Sequence, residues 1–225
     1  YSYSDKIKIE HFIDEKEVNT LAEDCSGFTF RAISEFTKEN SCYAVYGFAE
    51  KADRLYNSSA LVGPSGLIGV YRKIHLYYRE TLFFAPGNLG FTVFDLPFGR
   101  IGMMICFDWM YPESARTLAL KGAHLIAHPS NLVMPYCPDA MVTRCLENRV
   151  FAATANRVGE EDRGGLKLHY IGKSEIVTHR GEILHRLGGT ETSSAVAEID
   201  LSLASNKQFN EYNDLFRGRQ REHYT

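Results

Sequence analysis

Between residues 44 and 108 the chain alternates short apolar runs with turn-forming residues. The runs read AVYGFAE, ALVGPSGLIGVYRK, FTVFDLP and IGMMICFD, and they are rich in Val, Ile, Phe and Tyr. The interruptions are prolines and glycines, namely Pro64, Gly66, Pro86, Gly87, Gly90, Pro97 and Gly99. Because β-branched and aromatic residues favour strands while Pro and Gly mark turns, this region predicts a series of β-strands.

Helical patterns lie on either side of this region. Ahead of it, residues 18–40 carry apolar residues at helical spacing and predict one amphipathic helix before a strand at Tyr43; these are Leu21, Phe28, Ala32, Ile33 and Phe36. After it, a helix is predicted to begin near Pro112 and to end at Gly122. The strand HLIAHPS follows, then a helix over residues 138–150 and a strand at FAATANRV. The pattern is therefore one of strands and helices in alternation.

The last quarter of the chain changes character. Residues 171–199 predict short strands around turns at Arg180-Gly181 and Gly188-Gly189. Residues 201–225 are polar, aromatic and charged, and they predict an arm that lies on a neighbouring subunit or on the chain's own sheet. Since no repeat or linker interrupts the chain, we expect residues 1–225 to form a single α/β domain with helices packed on sheets.

Composition narrows the classes of function. The chain has 225 residues, 44% of them hydrophobic, and 25 basic against 28 acidic residues give a net charge of -3. This charge offers no attraction for nucleic acid or anionic membranes, and no apolar run approaches the ~20 residues that cross a bilayer. Five cysteines show no CxxC pairing or dense disulfide pattern, which predicts a reducing, cytoplasmic location.

Cys106 is the first candidate for chemistry. It ends the apolar run from Ile101 to Ile105 and directly precedes the polar and aromatic residues Phe107, Asp108 and Trp109. A strand that ends in a sharp turn presents its last side chain at the sheet edge and directs backbone N–H groups to whatever that side chain attacks. Taken alone, however, a free cysteine is more often a small buried hydrophobe than a nucleophile.

Lys73 is the second candidate. It lies in VYRKIHL, where apolar and polar residues alternate, so its ammonium group can point inward beside a neighbouring strand. An inward ammonium lowers the pKa of a nearby thiol and stabilises an oxyanion. The alternative is a surface lysine whose ammonium group stays in water, and without further context that alternative is the more common case.

Several motifs together resemble a known family. YRKIHL is similar to the lysine motif of the nitrilase, or carbon-nitrogen hydrolase, superfamily, and GMMICFD followed by YPESAR is similar to its nucleophile motif. Further on, Gly122-Ala123, HPSN at residues 128–131 and RCLENR at residues 144–149 resemble later signatures of the family. The order and separation of these motifs match over nearly the entire chain. The chain is thus identified as a member of the amidase-like branch, which implies a four-layer α-β-β-α sandwich.

The resemblance also implies roles for individual residues. Cys106 is the nucleophile, Lys73 is the cation that stabilises the oxyanion, and Glu80 helps to position the substrate and the attacking water. The alternative for Glu80 is an exposed loop carboxylate paired with Arg79 or a nearby lysine. The backbone N–H of Phe107 contributes to the oxyanion hole. Three residues are expected to contact the substrate, namely Tyr78, Trp109 and Asn131.

One part of the family pattern is not found in this sequence. The general-base glutamate of the family belongs to a Pro-Glu motif that would precede Tyr1, so the opening strand-helix-strand unit is expected to be missing. Four glutamates near the start lie in segments that predict loop or helix, and none has the context to replace the base: Glu10, Glu15, Glu17 and Glu35.

The sequence therefore predicts an enzyme that hydrolyses a non-peptide C–N bond through a cysteine thioester and releases ammonia or an amine. Its substrate would be a small amide, N-carbamoyl compound or nitrile. No cofactor or metal is expected, since His124 and His128 have no companion ligands nearby. A homodimer or a larger even-numbered oligomer is expected from the family.

Two alternatives remain open. The first is a catalytically silent scaffold or interaction protein of the same fold that lacks the base. The second is a hydrolase with a cysteine-histidine pair, in which His75 or His128 would be essential and Lys73 would not.

Overall fold

The computed structural model describes residues 15–163 and 166–224, without the side chains of residues 15–17, 163 and 166. Its helices are α1 (Glu15–Leu21), α2 (Phe28–Glu39), α3 (Glu80–Phe83), α4 (Pro112–Leu120) and α5 (Cys137–Asn148). The first seven strands are β1 (Ala44–Lys51), β2 (Leu55–Gly63), β3 (Gly66–Arg72), β4 (Val93–Leu96), β5 (Gly99–Met103), β6 (Leu125–Ser130) and β7 (Phe151–Asn156). The remaining strands are β8 (Val158–Arg163), β9 (Leu166–Ile171), β10 (Glu175–Val177) and β11 (Ile183–Arg186).

The strands form two large sheets and one hairpin. The first sheet is antiparallel with the order β1-β2-β3. The second has six strands in the order β11-β10-β7-β6-β5-β4, in which β5, β6 and β7 are parallel and the outer strands are antiparallel. Strands β8 and β9 pair only with each other. Because β5 and β6 are parallel neighbours, the residues that follow them meet at one edge of the second sheet.

The two sheets face each other between layers of helices. Helix α2 covers the first sheet, where the Thr37 hydroxyl donates to the carbonyl of Gly63 at 3.1 Å. Between the sheets, the Ser59 hydroxyl on β2 lies 3.2 Å from the sulfur of Met103 on β5. Helix α5 packs on the outer side of the second sheet, against β7 and β10, beside α4. The mixed α/β class predicted from the sequence is confirmed.

The helix predicted over residues 18–40 is in fact two helices, and this prediction was wrong in its middle. The Asp24 carboxylate accepts from the Ser26 N–H at 2.7 Å, which forms a tight turn. The Glu23 carboxylate accepts from the Thr29 N–H at 2.8 Å and so caps the start of α2. The predicted apolar face is also displaced, because Phe28 and Phe36 are exposed while Thr37 is buried.

The hairpin of β8 and β9 was not predicted. Its strands read VGEEDR and LKLHYI, and the acidic residues of β8 have low strand propensity. Over residues 171–199, strands form only on either side of the turn at Arg180-Gly181, where Gly181 has a φ of 78°. After Gly188-Gly189 the chain forms no strand up to residue 199.

The C-terminal arm lies on the chain's own sheet. Leu201 and Ala204 are buried against Ile101 of β5 and Phe151 of β7. The Lys207 ammonium donates to the backbone carbonyls at the end of α5, those of residue 148 at 3.1 Å and residue 149 at 2.9 Å. These contacts fit the second of the two predicted positions, an arm on the chain's own sheet. In the described ranges, no helix is both long and apolar enough to cross a membrane.

Candidate active site

Cys106 occupies a sharp turn directly after β5. It begins a short 3₁₀ helix, Cys106–Met110, and its φ of 42° lies in the left-handed region. This conformation costs a non-glycine residue about 1–2 kcal/mol, so neighbouring groups must hold it. On the N-terminal side, the N–H of Ile105 donates to the Asp108 carboxylate at 2.9 Å. The strand-then-turn pattern predicted for the nucleophile is thus what the structure contains.

Asp108 links this turn to the end of β3. Its carboxylate is fully buried and accepts from the Tyr71 hydroxyl at 2.8 Å. It also contacts Nδ1 of His75 at 2.8 Å, and the His75 ring stacks on Tyr111 with 3.7 Å between centroids. Burial and the nearby carboxylate of Asp108 raise the pKa of Tyr71 far above its usual range, so Tyr71 stays a hydrogen-bond donor. Asp108 therefore has no free oxygen for proton transfer to Cys106.

Lys73 and Glu80 form a buried ion pair beside the turn. Only 1% of Lys73 is exposed, and its Nζ lies 2.6 Å from Oε2 of Glu80. The same carboxylate accepts from the N–H of Tyr77 at 2.7 Å and from Nδ2 of Asn57 at 2.9 Å. Lys73 is therefore not a solvated surface lysine, and Glu80 is a half-buried carboxylate that is held by three donors, one of which is a nearby lysine.

The electrostatics of the site favour a resting thiol beside a charged ammonium. Burial raises the pKa of Cys106, although the Lys73 charge and the N–H groups of Asn131 and Phe107 act in the opposite direction. For Lys73, burial lowers the pKa, but the interactions with Cys106 and with the Glu80 carboxylate, which also accepts a hydrogen bond, outweigh burial, and the net pKa is raised. Since the thiol is protonated at neutral pH, a base must take its proton for the sulfur to attack.

Two backbone N–H groups converge on the sulfur of Cys106. One belongs to Phe107 in the same turn, and the other belongs to Asn131 directly after β6. His128, on β6, places its Nε2 atom 2.9 Å from the backbone carbonyl oxygen of Cys106. Its Nδ1 atom lies 3.1 Å from the Thr154 hydroxyl on β7. The ends of three parallel strands thus position the groups around one sulfur atom.

A cleft of about 400 Å³ opens above Cys106. It is lined by residues from the ends of β1, β6 and β7 and from the segment around α3, among them Phe48, Ala49, Tyr77, Phe84, Pro129 and Ala155. Asn57, Glu80, Ser130 and Asn131 supply its polar groups. Of the lining residues in the described part of the chain, Glu80 alone carries a charge, and that charge is already paired with Lys73.

Two of the residues expected to contact substrate lie elsewhere. Trp109 is 5% exposed and packs in the hydrophobic core, because the 3₁₀ helix turns its ring away from the cleft. Tyr78 has a φ of 48° and a largely exposed ring, and the neighbouring Tyr77 lines the cleft instead. Asn131 does line the cleft, and its N–H is directed at Cys106.

Sequence reasoning missed Asn57 and Asp108 as parts of the site, and it considered His128 only as the partner of Cys106 in a cysteine-histidine hydrolase. The signal for Asn57 was a run of three polar residues, Asn57 to Ser59, near the start of the strand LYNSSALVG. Asp108 accepts from the N–H of Ile105, and His128 contacts the carbonyl of Cys106. Both act on the backbone of the turn, and a motif cannot separate such residues from ordinary buried polar groups.

The remaining candidates for acid-base or metal chemistry are not at the sulfur. In the described part of the chain, the rings of His75 and His128 form hydrogen bonds with Asp108, Ser114, Ser130, Thr154 and a backbone carbonyl, and none with the thiol. Glu35 is exposed on α2, Glu10 lies outside the described residues, and the side chains of Glu15 and Glu17 are not described. Within residues 15–163 and 166–224, no three potential metal ligands come together.

The sequence is similar to that of known proteins. The sequence model of the carbon-nitrogen hydrolase family matches residues 9–208. The chain is 54% identical over 216 residues to a nitrilase of Pyrococcus abyssi, which covers 95% of this chain and 81% of that protein. It is 33% identical to an (R)-stereoselective amidase of a Pseudomonas species, over 94% of this chain and 79% of the relative. A human omega-amidase is 33% identical over 80% of this chain and 69% of its own length.

Solved structures give the same result for the fold. A carbon-nitrogen hydrolase from Helicobacter pylori superposes with a TM-score of 0.80 at 27% identity, over 87% of this chain and 74% of that one. A nitrilase-superfamily protein of Saccharomyces cerevisiae superposes with a TM-score of 0.70 at 24% identity, over 80% of this chain and 69% of that one, and it supports the fold alone. A sequence match over most of the chain, a shared fold and named hydrolases among the relatives lead to one conclusion: the chain is an enzyme that belongs to the carbon-nitrogen hydrolase family.

Proposed function

We propose that this enzyme hydrolyses its C–N bond through a thioester on Cys106. The observation that carries the proposal is the arrangement around one sulfur atom, where the Lys73 ammonium and two backbone N–H groups meet a thiol at the floor of a cleft. Such groups stabilise negative charge that develops on a substrate atom attacked by that sulfur. The catalytic residues are then Cys106 and Lys73, with Glu80 in contact with Lys73.

In the first half-reaction the sulfur attacks the carbonyl carbon of an amide. The thiol proton passes to a glutamate base, which the family resemblance places outside the described residues. The charge that develops on the substrate oxygen is stabilised by Lys73 and by the N–H groups of Phe107 and Asn131. The base then returns the proton to the leaving nitrogen, the C–N bond breaks, and ammonia or an amine departs.

In the second half-reaction water attacks the thioester. The base removes a proton from the water, the C–S bond breaks, and a carboxylic acid is released as the thiol is restored. The Glu80 carboxylate, fixed by three donors, keeps Lys73 in place and lines the cleft where this water enters. Splitting the reaction at the thioester replaces one difficult step with two easier ones.

The lining of the cleft favours substrates with a small, uncharged acyl group. In the described part of the chain, its walls are aromatic, aliphatic or neutral polar, and its one charge is engaged by Lys73. A free carboxylate or ammonium on the substrate would enter this cleft without an opposite charge, which is costly. We therefore propose simple amides as the first class to test, with N-carbamoyl compounds and nitriles as the alternatives.

The test is an ammonia-release assay across neutral amides, amides of dicarboxylic acids, N-carbamoyl compounds and nitriles. We expect neutral amides to give the highest kcat/KM and Cys106→Ala to abolish turnover. Cys42→Ala is the matched control, because Cys42 is also partly exposed but lies outside the cleft. Hydroxylamine should trap the acyl group of the thioester as a hydroxamate. Ammonia release that persists in Cys106→Ala, or no release from any class, would refute the proposal.

We also propose a cytoplasmic homodimer or larger even-numbered oligomer. All five cysteines are free thiols, which supports a reducing compartment. Large apolar side chains are exposed around α4 and α5, including Met110, Leu120, Leu146 and Ile183. Exposed apolar groups of this kind suit an interface between subunits. Sedimentation of the full chain tests this, and a monomer at micromolar concentration would contradict it.

A further inference from the structure

We propose that His128 is a positioning residue, which fixes the peptide group between Cys106 and Phe107 so that its N–H faces the oxyanion. This inference rests on the proposed function, since it concerns the same oxyanion site. His128 would touch neither substrate nor thiol, and it would act on the reaction only through the backbone of the nucleophile.

The planar peptide group after Cys106 links the contact of His128 to the direction of the Phe107 N–H. The carbonyl of Cys106 and the N–H of Phe107 belong to one planar trans peptide group, so they point in opposite directions. Nε2 of His128 lies 2.9 Å from that carbonyl oxygen, while the N–H is directed at the Cys106 sulfur. A hydrogen bond at one end of the group therefore sets the direction of the donor at the other end.

The hydrogen-bond partners of His128 fix its tautomer. A backbone carbonyl only accepts, so Nε2 must carry the proton. Nδ1 is then an acceptor for the Thr154 hydroxyl at 3.1 Å. The Ser130 hydroxyl lies 3.2 Å from Nε2 and is the second group near the donor. The ring is therefore held from β7 on one side and engaged with the nucleophile's backbone on the other.

The surroundings keep this ring neutral. His128 is 1% exposed, and burial lowers its pKa to about 4. The charges that act on it most, those of Asp108 and Lys73, have opposite signs. At neutral pH the ring is thus a fixed donor and not an acid or a base. This separates the inference from a cysteine-histidine hydrolase, in which the ring would exchange protons with the thiol.

The second N–H donor needs no such side chain. The N–H of Asn131 shares its peptide group with the carbonyl of Ser130, and that carbonyl accepts from the backbone N–H of Arg157 at 3.2 Å. The backbone itself therefore anchors this donor at the end of β6. The donor of Phe107 lies in a turn with a strained φ at Cys106, and there a side chain supplies the anchor. For this reason we expect a substitution at His128 to affect catalysis.

The test compares kcat, KM and the pH profile of three variants with those of the wild-type chain on its best amide. Removal of one oxyanion donor lowers kcat by about 10²–10³-fold, and a displaced donor should give part of that loss. We expect His128→Leu to lower kcat about 10–100-fold with KM changed less than about threefold. His128→Gln can offer an amide donor near the position of Nε2 and should recover most of the loss. Thr154→Val leaves the Nε2 donor in place and should cost less than about tenfold.

The controls distinguish a positioning role of His128 from a folding defect and from a failure of the proposed function. Both limbs of the pH profile should keep their wild-type positions in His128→Gln, because the ring is not the base. If His128→Leu fails to fold, His128→Gln decides, and a kcat as low as that of Cys106→Ala would overturn the inference. Wild-type kcat in a folded His128→Leu would also overturn it, while an active wild type and an inactive Cys106→Ala would leave the proposed function intact.

Discussion

At the scale of a single residue, Glu80 is the side chain that holds the Lys73 ammonium in place. Its carboxylate accepts from Lys73, Tyr77 and Asn57, and Lys73 is almost fully buried. Glu80→Gln would leave the Lys73 ammonium with a neutral partner, so we expect the free energy of unfolding to fall by about 1–3 kcal/mol. We also expect kcat to fall at least about tenfold, because the ammonium loses its fixed position.

Urea denaturation and the ammonia assay measure the two effects. Glu113→Gln is the matched control, because Glu113 is an exposed glutamate at the start of α4. Wild-type kcat in Glu80→Gln would contradict a role for Glu80 in the reaction.

The backbone of Cys106 gives a second prediction at this scale. Its φ of 42° is unfavourable for any residue with a Cβ atom. Cys106→Gly should therefore be more stable than Cys106→Ala by about 1 kcal/mol, although both variants lack the nucleophile. Chemical denaturation of the two variants measures the difference. Equal stability would show that the turn imposes no strain.

The residues that motifs can reveal are those whose side chains carry chemistry. Cys106, Lys73 and Glu80 were predicted on that basis, and the structure brings them together at one cleft. Trp109 and Tyr78 were also predicted to contact the substrate, but neither lines the cleft. A shift of one residue along a turn moves a ring to the other side of the chain. Sequence alone cannot resolve the geometry of a 3₁₀ turn or a positive φ at these positions.

At the scale of elements, the end of β3 depends on Gly87. The N–H of Gly87 donates to the carbonyl of Lys73 at 2.9 Å, and a Cβ at Gly87 would lie 2.0 Å from the carbonyl oxygen of Arg72. Gly87→Ala must therefore displace the backbone that carries Lys73. We expect a loss of about 1–3 kcal/mol in the free energy of unfolding and a lower kcat.

Gly90→Ala is the control for Gly87→Ala. A Cβ there would meet nothing within 4 Å, although the φ of 70° favours glycine. It should cost about 1 kcal/mol in stability and leave kcat unchanged. If Gly87→Ala behaves in the same way as this control, the close approach to β3 does not position Lys73.

Elements with a strong apolar pattern were predicted within a few residues, and polar ones were not. Helices α4 and α5 and strand β6 lie where their periodicity placed them. Hairpin β8–β9 was missed because the acidic strand β8, VGEEDR, carries no apolar period, although apolar and polar residues alternate along β9, LKLHYI. The break between α1 and α2 depends on local capping by Glu23 and Asp24, and an apolar pattern does not contain that information.

At the scale of the whole molecule, stability should depend on pH through buried histidines. Burial lowers the pKa of His128 to about 4, from the ordinary 6.5 of a solvated histidine. Between these two pH values the unfolded chain binds more protons at this residue than the folded chain does. Stability is therefore lost as pH falls from about 6.5 to 4, by about 2–3 kcal/mol from His128 alone. His128→Gln should flatten this part of the profile, as measured by urea denaturation at several pH values.

The contribution of Glu175 to stability depends on pH in the opposite direction to that of His128. Burial raises its pKa to about 7 despite the ion pair with Arg186 at 2.8 Å. The folded chain holds this proton more tightly, so the contribution is present below about pH 4.5 and is lost as pH rises to 7. Glu175→Gln should reduce the loss of stability towards neutral pH. For His128, the contrary result is a slope of the unfolding free energy against pH on the acid side that is the same in His128→Gln as in the wild type. That result would contradict the assignment of a buried neutral ring.

The family and the class of fold were predictable at this scale because motif order reflects strand order. The nucleophile motif ends β5, and the HPSN motif ends β6, its parallel neighbour. The cleft they share follows from that adjacency. The order of all six strands in the second sheet, and the position of the C-terminal arm on it, depend on long-range packing that no local pattern specifies.

The amide of Asn57 has a consequence for how the protein can be produced. Asn57-Ser58-Ser59 is an acceptor tripeptide for N-linked glycans, but here the side-chain nitrogen donates to Glu80 inside the cleft, and both serines are fully buried. A glycan attached to Asn57 during secretion through the endoplasmic reticulum would remove the hydrogen bond to Glu80 and would fill the cleft. Secreted, glycosylated material from a yeast or insect host should thus be misfolded or inert, whereas bacterial expression avoids the modification.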